Sequence, residues 1–545
     1  MTTPADETRT KTVLGVIAEH TGYSLEELGH DAVLEDELGI DSLMREWVLA
    51  DLETRFQLPK SLDREAVTVG DIVAGVSALT ATMDGGVPAA IPDLPADESR
   101  AGAATSNDPA TSSDAETASD GHTAKPGETM KDFGPDGDAD LFAKAARFAD
   151  HRRSREADQL YWYGMPSSGR LTGRGVYHDM QVGRSDEYLV FASNNYLGLA
   201  NDPRVADAIA DAARSFGATN TGSRIIGGTT ELHLELERRL AEFKGHDACI
   251  VFPGGYSANL GTISALAGPA DHVLSDSLNH MSLVDGAQLS GARRLSFAHN
   301  DMQALEQRLQ QVAERPGGTL VAVDGVFSMH GDVCPLPELV ELTRRYGARL
   351  LVDDAHSTGV LGSTGSGTAE HFGMKGEVDL EVGTMSKALA GVGGFVVGEA
   401  EVVNYLRYYA HSYVFAATTP APMAAGLIAS LEILQKEPAL LEGLWRNIRR
   451  LRDRLRADGF DLENSESAIL PVVVGDEDVA LRFGREVRAR GMFCQTVVYP
   501  GVPTGQARLR ISVGVEHTDA DLDAAADIVR DSADAIGFDR GGVTA

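Results

Sequence analysis

From about residue 138 onward, short β-rich runs recur between helical patterns: "ACIVF", "TLVAVDGVFS", "ARLLVDDAH", "EVGTMSK" and "GGFVVGE". Strand and helix in alternation predict an α/β domain on a mainly parallel sheet. "ISVGVEHTDADLDAAADIVRDSADAIG" adds one more strand and helix near the end, and no internal repeat interrupts the order.

The front of the chain does not follow that pattern. With 545 residues the chain is too long for one core. Residues 8–78 predict a small helical domain. Apolar residues in "TVLGVIAEHTG" fall at helical spacing, "LGIDSLMREWVLADLETRF" (Leu38 to Phe56) continues the pattern, and "TVGDIVAGVSAL" follows a polar break. Residues 79–137 are Ala, Ser, Thr, Pro, Gly and acid with almost no large apolar side chain. Such a stretch cannot bury enough surface to fold, and it predicts a flexible tether reaching on the order of 40 Å as a random coil. A plain spacer fits this composition, as does an arm that delivers cargo to the domain at 138–545.

Charge narrows the functions. The chain has 48 Lys+Arg against 81 Asp+Glu, a formal net charge of −33, and residues 1–76 hold 6 against 16, a net of −10. That argues against nucleic acid and anionic membrane surfaces. No run approaches the ~20 apolar residues of a membrane span. "MTTPADETRTKTVLG" lacks the basic and apolar regions of a secretory signal, so a cytoplasmic protein is expected. Cys249, Cys334 and Cys494 lie far apart without metal-ligand spacing; free thiols and no metal site are expected.

Four places in the long domain carry chemistry. In "VGTMSKALAGVGGF", Lys387 follows a strand and sits among Thr384, Ser386 and small residues. A lysine used for Schiff-base chemistry has to be partly desolvated, and Gly391, Gly393 and Gly394 permit close approach of a cofactor. In "LLVDDAHSTGVLG", Asp353 and His356 follow the end of an apolar strand, where open α/β sheets bind ligands. An aspartate there can pair with the pyridine nitrogen of pyridoxal phosphate (PLP), and the histidine can meet its phenolic oxygen; a capping Asp and a structural His fit equally. In "VFPGGYSANLGTISAL" a strand runs through Gly-Gly into a helix whose first N–H groups suit a phosphate. In "GQARLRISV", Arg510 offers a fork for a substrate carboxylate, or is an ordinary surface arginine.

Taken in order, "SNNYLGLANDPRV", "GSRIIGGTTELHLELERRLAEFKG", "SDSLNHMSLVDGAQLSGA", "DGVFSMHGD", "VDDAHSTGVLG", "GTMSKALAGVGGF" and "VYPGVPTGQARLRISV" resemble the α-oxoamine synthases. These are PLP enzymes of fold type I, aspartate aminotransferase-like, and include 8-amino-7-oxononanoate synthase, 2-amino-3-ketobutyrate CoA ligase, serine palmitoyltransferase and 5-aminolevulinate synthase. The resemblance implies that Lys387 holds PLP covalently, Asp353 pairs with its pyridine nitrogen and His280 stacks on the ring. It further implies that His356 and Ser328 contact the phenolic oxygen, and that Gly255, Tyr256 and Thr384 bind phosphate. Thr418 would reach in from the second subunit of a homodimer, and Asn194 and Arg510 would hold an amino acid carboxylate. Three places depart from the family pattern. Gly254-Gly255-Tyr256 replaces Ser-Gly-Phe, His330 stands where Asp is common, and Asp354 stands where Glu is common.

A synthase that consumes an acyl thioester gives the front of the chain a role. "LGIDSL" at the head of an acidic helix, with "TVGDIV" some way on, resembles an acyl carrier protein, an all-α four-helix domain. The resemblance implies 4′-phosphopantetheine on Ser42, at a helix N-cap where the dipole favours phosphate. A plain helix cap is the reading the residues alone leave open. Met44, Val48, Leu52 and Phe56 recur every four residues as a core face; Glu46, Asp51 and Glu53 form the polar side, for basic partners. "MREW" departs from typical carriers. A phosphopantetheinyl transferase and an acyl-loading enzyme are the implied partners.

Together the resemblances imply a decarboxylative Claisen-type condensation of Gly, Ala or Ser with an acyl thioester on the chain's own carrier, giving an α-amino ketone. Ser223, where glycine-specific relatives tend to carry Thr, leans toward alanine or serine. A fused carrier suggests secondary metabolism, of a polyketide or prodiginine type. The alternatives are a synthase that takes free acyl-CoA or another carrier's cargo, a non-catalytic docking protein, and a PLP enzyme of transamination or racemisation. Lys387, Asp353, His280 and Arg510 all being present speaks against the docking protein.

Overall fold

The computed structural model describes residues 4–21, 68–81, 128–134, 140–170 and 172–540, with scattered positions between 28 and 66. Ser42, Met44, Glu46 and Asp51 lie outside the described residues, as does 82–127 of the expected tether.

The long domain is built on a seven-stranded sheet. Across it run Ala248–Phe252, Gly394–Gly398, Leu380–Thr384, Arg349–Asp353, Thr319–Asp324, His272–Asp276 and Arg293–Phe297. All are parallel except Gly394–Gly398, which is antiparallel to both neighbours. Leu380–Thr384 and Gly394–Gly398 are buried at every position. Strands covered on both faces carry no polar alternation, which is why the sequence shows them as continuous apolar runs.

Parallel strands end on one side of the sheet. Thr384, Asp353, Asp324 and Asp276 are the last residues of four successive strands, and Asp324 is the direct register partner of Asp353. A three-stranded antiparallel sheet of Ile469–Gly475, Ala507–Ser512 and Gln495–Val497 carries Arg510 in its central strand. It is knitted to the start of the domain: Ser512 N donates to Phe191 O at 2.8 Å, and Phe191 N to Phe493 O at 2.7 Å. This brings the segment of Asn194 beside Arg510.

Asp354 is a packing residue. It is fully buried with Lys244, whose Nζ donates to Asp354 Oδ2 at 2.5 Å and to Glu381 Oε2 at 2.8 Å. Burial works against the Lys244 charge, but Asp354 and then Glu381 outweigh it and hold the ammonium above its usual range. Gly367, at φ +121°, makes room for the group, because a Cβ there would lie 1.9 Å from Asp354 Oδ2. All three cysteines are free and buried.

At the front, helices span Pro4–Thr21 and Val69–Ala81, the second running three residues past the expected boundary at 78. Val48 and Leu52 of the expected core face are buried and Phe56 is half-buried. Glu53, expected on the polar side, accepts from Leu62 N at 2.6 Å. Within the stretch expected as linker, Met130–Phe133 forms a 3₁₀ turn. Among the described residues no helix is long and apolar enough to cross a membrane.

Candidate active site

A cleft of about 510 Å³ opens where the carboxyl ends of the strands meet the C-terminal sheet; Asn194, His280, Ser328, His356, Lys387 and Arg510 all line it. Lys387 lies on the loop that follows Leu380–Thr384. Desolvation lowers its amine to about 8, with Asp353 opposing the shift and Arg510 adding to it. A nucleophilic amine needs this, because only the neutral form attacks.

Behind it, one amide organises two expected site residues. Asn259, buried on the helix Gly255–Leu266, donates from Nδ2 to Asp353 Oδ2 at 2.6 Å and to Ser282 Oγ at 2.9 Å. Ser282 Oγ, already an acceptor, bonds His280 Nδ1 at 2.7 Å, and Ser282 N also donates to that nitrogen. His280 Nδ1 is therefore the acceptor, which leaves the ring proton on Nε2. His280 caps the helix Met281–Ser290, and its own N–H donates to Asp324 Oδ2 at 3.0 Å. Burial and then the neighbouring Asp353 push the Asp324 carboxyl well up.

On the opposite wall Arg510, buried, donates from Nε to the Ser328 carbonyl at 2.6 Å and from Nη1 to Ser512 Oγ at 2.8 Å. Asn194 Oδ1 accepts from Arg510 Nη1 at 3.4 Å and from the Tyr196 hydroxyl at 3.1 Å. The same hydroxyl shares a 2.8 Å hydrogen bond with His356 Nδ1. Burial, followed by Lys387 and Arg510, pushes His356 far below its usual range, so it is neutral. Ser328 thus meets Arg510 through its backbone.

Gly255 begins its helix against Thr384. A Cβ at Gly255 would lie 2.9 Å from Thr384 Cβ, and one at Gly394 would lie 2.3 Å from Gly254 O, so this turn offers an anion only backbone and small side chains. Thr384 Oγ1 and Ser386 Oγ share a 2.7 Å hydrogen bond. The Tyr256 hydroxyl is hydrogen-bonded to Asp285, which with burial raises it to about 12. A desolvated amine, a carboxylate at a strand end and a glycine turn with no space for a side chain together fit PLP.

Thr418 is not brought into the cleft. It is buried, its N donates to Gly222 O at 3.1 Å and its Oγ1 meets His233 Nε2 at 3.2 Å. His330 also stands outside the lining, near Arg508 and with its ring 5.8 Å from His299. Burial and Arg508 lower His330 to about 4. His299 is clamped between Asp276 Oδ1 at 3.0 Å and Asp332 Oδ2 at 2.8 Å. Burial opposes its charge, but these bonds raise it to about 10.

Sequence reading passed over Asn259, Asp324 and Tyr196. Two signals were present: "TLVAVD" ends an apolar strand in aspartate just as "RLLVD" does, and Asn259 lies one helical turn after Gly255.

Residues 186–529 match the family described as aminotransferase class I and II. The 4-hydroxy-2,2'-bipyrrole-5-methanol synthase PigH of Serratia sp. is 50% identical over 533 residues, 96% of this chain and 80% of that protein. The 8-amino-7-oxononanoate synthase of Thermoanaerobacter pseudethanolicus is 42% identical over 365 residues, 65% of this chain and 92% of that protein. Among solved structures, the serine palmitoyltransferase of Sphingomonas wittichii superposes with a TM-score of 0.69 at 35% identity, covering 73% of this chain and 99% of that one.

Proposed function

This chain belongs to the aminotransferase class I and II family, among its PLP-dependent α-oxoamine synthases, and on that premise we propose that it condenses glycine, alanine or serine with an acyl thioester carried on its own Ser42. The reaction is biosynthetic and makes a carbon–carbon bond between an amino acid and an acyl group. The observation that carries this reading is the convergence of Lys387, Asn194 and Arg510 on one cleft.

PLP, when bound, supplies an electron sink next to the amino acid Cα. Lys387 would hold it, Asp353 would keep its ring nitrogen protonated, and His280 would cover its face. The Gly254–Tyr256 turn and Thr384 would take its phosphate. Asn194 and Arg510 hold the amino acid carboxylate, which fixes Cα near Lys387. Once the substrate amine has displaced it, Lys387 would be a free amine of lowered basicity able to take the Cα proton. Cα bonds to the acyl carbon, the thiol leaves, CO₂ is lost and a proton returns to Cα, giving an α-amino ketone.

The front of the chain is shared with one relative and not with another. The Serratia match covers 96% of this chain and so runs into residues 8–78, whereas the oxononanoate synthase matches 65%. Residues 79–137 then serve as a tether that raises the effective concentration of the thioester. Homodimer formation is supported by exposed apolar side chains around the Thr418 loop: Phe415 is 81% exposed and Ile226 80%. In such a dimer Thr418 reaches the partner's phosphate site.

Full-length protein and Ser42→Ala, both carrying PLP, are compared on acyl-CoA and on acyl chains loaded onto the protein by a phosphopantetheinyl transferase. The expected result is loss of turnover with loaded chains in Ser42→Ala and equal turnover with acyl-CoA. Equal product from both proteins after loading would leave free acyl-CoA as the donor.

A further inference from the structure

The last part of the stretch expected as tether, from Glu128 to Phe133, is held at the cleft. Thr129 caps the turn Met130–Phe133: its Oγ1 accepts from Lys131 N at 3.3 Å and its N donates to Asp132 Oδ2 at 2.8 Å. The Glu128 carbonyl accepts from Arg155 Nη2 at 2.9 Å, and the Phe133 ring lies 4.8 Å from that of His151. These contacts fix the backbone on either side of Met130. One side of Met130 packs against the apolar cluster that includes Leu481 and Val498. Met130 also lines the cleft, alongside Tyr163 and Val498 and in common with Lys387 and Arg510. Tyr163 is set in place by its hydroxyl, which donates to Thr496 O at 3.3 Å.

The two substrates need different surfaces. An amino acid is small and charged, and Asn194 with Arg510 meets its carboxylate on their wall of the cleft. An acyl chain is apolar, and it has to leave the reacting carbon along a wall that accepts methylenes. We infer that Met130, with Tyr163 and Val498, is that wall, and that Met130 sets which acyl lengths are accepted. A methionine suits the task because its unbranched thioether adapts to the surface laid against it. The segment that ends the tether is then part of the synthase site, and the tether leaves from the rim of the cleft it serves. This inference rests on the proposed use of an acyl thioester.

Full-length Met130→Trp and Met130→Ala, each carrying PLP, are assayed with the amino acid the wild type uses best and with acyl-CoA thioesters from acetyl to dodecanoyl. Thiol release gives kcat/KM at each length. Met130→Trp is expected to lower the ratio of longest to shortest accepted chain by about tenfold or more, and Met130→Ala to move the optimum to longer chains, since a methylene in an apolar pocket discriminates by about ten- to two-hundredfold. The PLP absorbance band and amino acid KM are expected to stay at wild-type values. Length profiles within about twofold of wild type in both variants overturn the inference, as does loss of the PLP band in both. If one variant loses the band, the other decides. Should the wild type release thiol neither from acyl-CoA nor from acyl chains loaded on Ser42, with any amino acid, the proposed function itself falls; unchanged profiles with an active wild type remove only the role of Met130.

Discussion

Asn259 Nδ2 donates to Asp353 Oδ2 at 2.6 Å, so a buried amide from the helix Gly255–Leu266 fixes the carboxylate at the end of Arg349–Asp353. The same nitrogen donates to Ser282 Oγ, which fixes His280. Asn259→Leu leaves Asp353 one donor short inside the protein, a loss of about 1–3 kcal/mol. The dissociation constant of PLP, titrated by absorbance against apoprotein, is expected to rise by about ten- to a hundredfold. An unchanged constant would show that Asp353 is held without Asn259.

A lysine captures PLP only as a neutral amine, and Lys387 is the residue proposed to do so. With its amine lowered to about 8, the neutral share is small at pH 7 and dominant at pH 9. The rate of PLP capture by apoprotein, followed by stopped-flow absorbance, is expected to rise roughly tenfold over that range and then level off. A rate still climbing steeply between pH 9 and 10 would show an ordinary lysine.

Arg510 presents a planar fork held by the Ser328 carbonyl, Ser512 and Asn194. Arg510→Lys keeps the charge and loses the fork. Amino acid KM is expected to rise by about ten- to a hundredfold, with the PLP absorbance band unchanged. A KM within about twofold of wild type would remove Arg510 from the carboxylate site.

His299 links Asp276 at the end of one strand to Asp332 on the loop that follows Ser328. Its folded-state pKa, about 10, lies above the ordinary 6.5. The stabilisation is thus complete below about pH 6.5 and fades as pH rises through 10. Denaturant unfolding at pH 6 is expected to show His299→Gln destabilised by on the order of 2 kcal/mol, with the gap to wild type narrowing toward pH 10. A gap that is constant with pH would mean that the imidazolium charge contributes nothing.

The sequence by itself determined the elements and the residues that announce themselves locally. Continuous apolar runs marked the buried strands, and the polar residues just past them marked Asp353 and the Lys387 loop. Gly-Gly before a helix marked a turn with room only for backbone. These features are set by neighbours a few positions away, so they are written in short windows. Tertiary structure alone decided which of them meet. Asn259 reaches Asp353 across 94 positions, Arg510 reaches the Ser328 carbonyl across 182 and Lys244 reaches Asp354 across 110. Asp324 stands beside Asp353 only because two strands pair in that register. Met130 faces the cleft only because a turn at the end of a low-complexity stretch packs on Leu481 and Val498. Strand register and side-chain packing fix such contacts, and neither is set by local periodicity.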